Sequence, residues 1–108
     1  MTIDQISLAF SEAPHYADVD AFVSDLLLSS SFLPKDETSA PDPALIAPLR
    51  AVWTAACASF PEFLRSVGLT QSGCSRRFGI PLRTVQGWAL GERQCPAYIR
   101  RMIYELSA

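Results

Sequence analysis

Apolar residues recur at helical spacing almost from the start of the chain. Ile3, Ile6 and Phe10 share one helical face, and Thr2-Ile3-Asp4-Gln5 fits a capping box with Gln5 reaching back to the cap. Asp18 caps a second helix, whose Val19, Phe22, Val23, Leu26 and Leu27 follow i, i+3, i+4, i+7, i+8 spacing and which ends in Ser29-Ser30-Ser31. Asp42-Pro43 pairs an N-cap with a first-turn proline, but Pro48 lies too deep for an undisturbed helix, so a kink or restart is expected near Ala47. Leu49, Val52, Trp53, Ala56 and Phe60 form the next stripe. Ser59-Phe60-Pro61-Glu62 fits a second capping box, continued by Phe63, Leu64 and Val67 to Gly68 at a left-handed stop.

Three short helices follow. Thr70 caps one from Gln71 to Phe78, stopped by Gly79. Pro81 opens another through Leu90, stopped by Gly91. Pro96 opens the last, with Ile99, Met102, Ile103 and Leu106 on one face. No run shows sustained period-two alternation with β-branched enrichment, so the expectation is all-α with five to seven helices. The stretch from Pro34 to Pro43 is polar and proline-punctuated. The expected organisation is an N-terminal helical arm over 1–33, a proline-rich linker over 34–47 and a helical domain over 48–108.

Charge sharpens this division. Residues 1–48 hold eight acids and one base, a net −7, whereas residues 49–108 hold eight arginines and three acids, a net +5. The overall charge of −2 argues against a polyanionic partner, and the distribution restores one for the C-terminal part. At 108 residues with 49% apolar content the chain can bury one modest core, which excludes wholesale disorder. Its longest apolar runs are far short of the ~18 residues that span a bilayer. The first residues resemble neither a secretory signal nor a lipidation box. Cys57, Cys74 and Cys95 are odd in number and widely spaced, which suits a reducing cytoplasm rather than a disulfide framework.

No enzymatic chemistry is expected. The single His15 stands beside Pro14, and the chain has neither a glycine-rich phosphate loop nor a nucleophile elbow. The cysteine intervals contain no closely spaced pair for zinc, so neither a metal nor a cofactor is expected.

The informative stretch is Gly68 to Gly91. Its two short helices meet at a tight turn, Gly79-Ile80, with Cys74 and Phe78 facing inward from the first, Ile80 plugging the turn, and Val85 and Trp88 packing from the second. That leaves Leu82, Arg83, Gln86 and Gly87 on the outer, N-terminal side of the second helix. Two short helices at a steep angle make a helix-turn-helix, whose second member can enter the major groove. There arginine pairs with guanine and glutamine with adenine, each through two hydrogen bonds. Arg76 and Arg77 either meet phosphate or form a solvated face, and Arg100 and Arg101 are solvated or pair with the acidic arm.

Phe63 to Ile103 resembles the lambda-repressor/Cro-like helix-turn-helix family. The resemblance lies in Leu69-Thr70-Gln71 opening the first helix, Phe78-Gly79-Ile80 at the turn, Thr84-Val85 followed by Trp88 in the second, and Gly91 closing it. The stretch from Ile80 to Tyr98 also looks like small DNA-binding proteins of bacteria and their mobile elements. By position, the resemblance implies that Gln71 touches phosphate or a base and that Leu82, Arg83, Gln86 and Gly87 read bases. Thr70, Thr84 and Arg93 become backbone contacts. The chain departs from the family at Cys74-Ser75, where a leucine-alanine pair is usual, and its helical Gly73 and Gly87 each lower propensity by about 1 kcal/mol.

The expected function is that of a cytoplasmic, sequence-specific regulator that binds double-stranded DNA as a homodimer, with helix 82–90 in the major groove. The alternative is a protein-interaction module, an antitoxin or phage-type inhibitor, that grips a protein partner through residues 1–48.

Overall fold

In the computed structural model, which describes residues 1–34 and 40–107, the chain is all-helical. Seven α-helices are present among those residues: α1 (Ile3–Glu12), α2 (Val19–Leu27), α3 (Ile46–Cys57), α4 (Phe60–Ser66), α5 (Gln71–Phe78), α6 (Leu82–Leu90) and α7 (Ala97–Ser107). Single 3₁₀ turns at Ala13–His15 and Pro43–Leu45 precede α2 and α3. None of the described helices is long and apolar enough to cross a membrane. Residues 35–39 of the expected linker, with its Lys35, Asp36 and Glu37, lie outside the described residues.

Contacts divide the chain into Met1–Trp53 and Thr54–Ala108, a division that falls inside α3. In the first unit, α1 opens on the expected capping box. Thr2 Oγ1 accepts from Gln5 N at 3.1 Å, and Gln5 Oε1 accepts from Thr2 N at 2.9 Å. Asp18 caps α2 by accepting from Ala21 N at 3.2 Å. Asp42 caps the 3₁₀ turn that ends at Leu45, so the C-terminal part of the expected linker is helical. Beginning at Ile46, α3 holds Pro48 in its first turn, where the missing N–H costs no helical bond. This is the expected restart.

Phe22, Val23, Leu26, Leu49 and Val52 are buried as their spacing predicts. Ile3 is not. It is 75% exposed, and the buried positions near α1 are Ala9 and Ala13, small enough for close backbone approach. Phe32, in the turn beyond α2, is also buried. Trp53 Nε1 donates to Tyr16 O at 3.2 Å, and the Tyr16 hydroxyl donates to Asp25 at 3.0 Å.

In the second unit, Ser59 Oγ accepts from Glu62 N at 3.3 Å, the serine half of the predicted box. Phe63, Leu64, Cys74, Val85, Trp88 and Ile103 are buried. On α3 the buried small residue is Ala55, with the predicted Ala56 only half-buried, because the stripe drifts by one position along the helix. Phe60 meets Phe63 edge-on at 6.0 Å and Trp88 at 5.3 Å, which ties α4 to α6.

Arg100 is half-buried and bonded within its own unit rather than fully solvated. From α7 it donates Nε to Ala55 O at 2.6 Å and Nη2 to Thr54 O at 3.4 Å and to Ala58 O. These carbonyls close the C-terminal end of α3, where the helix dipole favours a cation. The guanidinium also lies 5.2 Å from the centre of the Phe63 ring. Arg101 pairs with Glu105 on its own helix at 3.2 Å.

Two predictions follow from this packing. Replacing Arg100 with leucine strips the α3 end of its donors and is expected to cost about 2 kcal/mol in urea unfolding. Gly87→Ala is expected to stabilise the protein by up to about 1 kcal/mol, since an added Cβ meets only the Arg93 stem at 3.8 Å. Gly73→Ala is expected to gain less, because its Cβ would sit 3.0 Å from the capping Thr70 Oγ1. Equal gains at the two glycines would show that this cap does not constrain α5.

Candidate nucleic-acid interface

The turn between α5 and α6 is built by three local devices. Thr70 caps α5 by accepting from Gly73 N at 2.9 Å. At the other end, Gly79 adopts φ +67°, a left-handed conformation that a Cβ would strain, and its N–H returns to Ser75 O. Ile80 N also donates to Ser75 O at 3.1 Å, while the Ser75 hydroxyl donates to Ile80 O at 2.6 Å. Alanine, usual here in the resembled family, could not make that last bond. Ser75 thus locks the turn through its side chain, a role that its departure from the pattern did not disclose.

Beyond the turn, Pro81 precedes α6 and its carbonyl accepts from Thr84 N at 2.9 Å and Val85 N at 3.1 Å. The helix ends on Gly91 at φ +79°, with Glu92 N donating to Gly87 O at 3.0 Å in a Schellman closure. Buried Cys74 on α5 and Val85 on α6 are fully covered, and Phe78 and Ile80 are half-buried at the corner.

These constraints fix which side chains α6 leaves outside. Leu82, Arg83 and Gln86 are exposed on its first two turns, and Thr84 is half-buried. Neither Arg83 nor Gln86 has a hydrogen bond or ion pair among the described residues. Gln71 is exposed at the first position of α5 and Arg76 is exposed on the same helix, likewise without such a partner. Thr70 is exposed, but its oxygen already serves the α5 cap. Arg77 instead donates to Leu106 O and lies 5.5 Å from the Phe78 ring centre, so it fastens α5 to the end of α7.

Gly87 requires a correction. It is buried, not on the open face, because Arg93 lays its stem across it, with Cγ and Cδ within 4 Å of where a Cβ would stand. A long aliphatic stem covers a small residue while its charged head stays in water. Arg93 itself is exposed, so the outer surface of the first two turns of α6 is formed by Leu82, Arg83 and Gln86, extended by Arg93 rather than by Gly87.

Electrostatics fit an anionic partner at this unit. From Thr54 on, the chain carries seven arginines and three acids, a net +4, and Met1–Trp53 carries eight acids and two bases, a net −6. No protein-family model matches the chain, and comparison with curated proteins and with solved structures gives no match. No cluster of three or more metal-ligating side chains is present among the described residues.

The thiols are chemically quiet. Burial pushes the Cys95 thiol up to about 12, against the opposing pull of Arg100, and burial likewise raises Cys57 and Cys74. The folded state therefore favours the protonated Cys95. That contribution to stability is complete at neutral pH and is lost as pH rises from the ordinary thiol range towards 12. Iodoacetamide at pH 8 is expected to modify folded Cys95 at least about a hundredfold more slowly than the unfolded chain, measured by peptide mass spectrometry. Equal rates would show that the thiol is open to solvent.

Proposed function

We propose that the protein is a sequence-specific, double-stranded-DNA-binding regulator of the lambda-repressor/Cro-like type, and that α6 is its recognition helix. The observation that carries this reading is the pairing of a locked α5–turn–α6 corner with an exposed, unpartnered Arg83 and Gln86. A base-reading side chain must be free of intramolecular bonds, or breaking them would cancel the gain from pairing with a base. It must also stand on a rigid element, since each base edge tolerates little displacement. Arg83 and Gln86 satisfy both conditions. Their forks suit guanine and adenine edges respectively, and Leu82 offers an apolar contact to a thymine methyl.

Phosphate neutralisation supplies most of the affinity in this account. Arg76 and Arg93 provide unpaired charge, and Gln71, Thr70 and Thr84 provide shorter polar contacts near the helix starts. One such unit covers a single half-site, so the active form is a homodimer on a two-fold symmetric operator. Binding weakens steeply with salt as released counterions become more abundant.

The acidic unit favours a second reading, an antitoxin or phage-type inhibitor that holds a protein through residues 1–48. Ile3 and Leu28 are 75% and 65% exposed in a unit of net charge −6, a composition suited to a basic partner with an apolar centre. The two readings separate in one experiment, selection of bound sequences from a random duplex pool at two salt concentrations. The regulator is expected to enrich a palindrome, more weakly at the higher salt. Arg83→Ala is expected to lose about 1–3 kcal/mol on that site and relax one base position. Failure to enrich any duplex at either salt would overturn the regulator and leave the protein-binding reading.

A further inference from the structure

We propose that the groove beside the last turn of α6 is a binding site for a small amphipathic anion, an aromatic or alkyl carboxylate. The groove lies within the second unit, is open to solvent along one side and has a volume of about 730 Å³, inside the range of small-molecule sites. Its walls are the α3–α4 junction from Ala56 to Pro61, the end of α6 from Trp88 to Gly91, and the segment leading into α7.

The charge on this lining is one-sided. Arg93 and Arg100 both line the groove, and no acid does, even though Glu92 is adjacent to Arg93 in sequence. Arg100 is half-buried with only carbonyl dipoles and a ring as partners, and its Nη1 makes no hydrogen bond among the described residues. A desolvated cation without a carboxylate gains from any anion that approaches it in a low-dielectric setting. Arg93 complements it from the rim. Its stem is seated on Gly87 while its head has no ion pair among the described residues, so the stem has little conformational freedom left to lose on binding.

The rest of the lining supplies an apolar bed. Leu90 is 74% exposed, and Pro61, Pro96 and Ala97 add further apolar surface. A purely apolar ligand would leave the two guanidinium groups unanswered, and a hydrophilic anion such as phosphate would leave Leu90 and the prolines uncovered. A carboxylate on an aromatic or alkyl body satisfies both.

The site shares Arg93 with the DNA reading but does not rest on it, and it is tested without DNA. Calorimetric titration of the full chain compares 2-naphthoate with 2-naphthamide, the same ring without the charge. Saturable naphthoate binding is expected, at least about tenfold tighter than naphthamide. Amide shifts should cluster at Ala56–Pro61, Trp88–Gly91 and Cys95–Ala97. Arg93→Gln is expected to remove about tenfold of naphthoate affinity and leave naphthamide unchanged, and Ala97→Trp, which fills the groove from an exposed position, to abolish both. Equal affinity for the two probes, no saturation below about 1 mM, or shifts confined to other residues would overturn the proposal.

Discussion

One half-buried guanidinium holds the second unit together. Arg100 reaches from α7 to the carbonyls that end α3 and lies over Phe63 of α4. Phe63 meets Phe60, and Phe60 meets Trp88 of α6. A single side chain therefore connects a helix terminus, an aromatic cluster and the helix that carries Arg83 and Gln86. Arginine suits this task because its fork serves several acceptors in one plane and its face accepts an aromatic ring, which a lysine ammonium cannot do.

The corner between α5 and α6 shows how a weak helix former becomes a rigid element. With Ser72, Gly73, Cys74 and Ser75 in succession, α5 has little intrinsic helicity. It is set by Thr70 at one end, Gly79 and Ser75 at the other, and buried Cys74 between them. The caps act over a few residues, whereas the burial of Cys74 draws on the segments packed around it. Their product is a helix pair whose outward Arg76, Arg83 and Gln86 have no hydrogen bond or ion pair among the described residues. At Gly87 the stem of Arg93 lies along α6 and brings a charge to the face that Gly87 itself leaves blank.

Opposite charge on the two units gives each a distinct surface chemistry. The Arg50–Asp20 pair, at 2.6 Å, is a solvent-exposed contact within the acidic unit and adds little to its stability. In the second unit, charge is spent differently. Arg100 supports the fold, Arg77 fastens α5 to α7, Arg101 pairs with Glu105, and Arg65, Arg76, Arg83 and Arg93 have no hydrogen bond or ion pair among the described residues. Counting arginines thus overstates the charge available to a partner, and the structure identifies the residues that are free.

Local physics was legible in the sequence. The capping residues Thr2, Asp18, Ser59 and Thr70, the left-handed glycines, the restart before Pro48 and most of the buried stripes depend on neighbours within one or two turns, and the sequence alone placed them. What required the tertiary structure was anything decided by residues far apart in the chain. The pattern could not show that Arg100 would meet carbonyls 42 to 46 residues away or that Ala9 would be buried while Ile3 stayed in water. Helical periodicity states which residues share a face. Which face is covered, and by what, depends on how other segments pack against it.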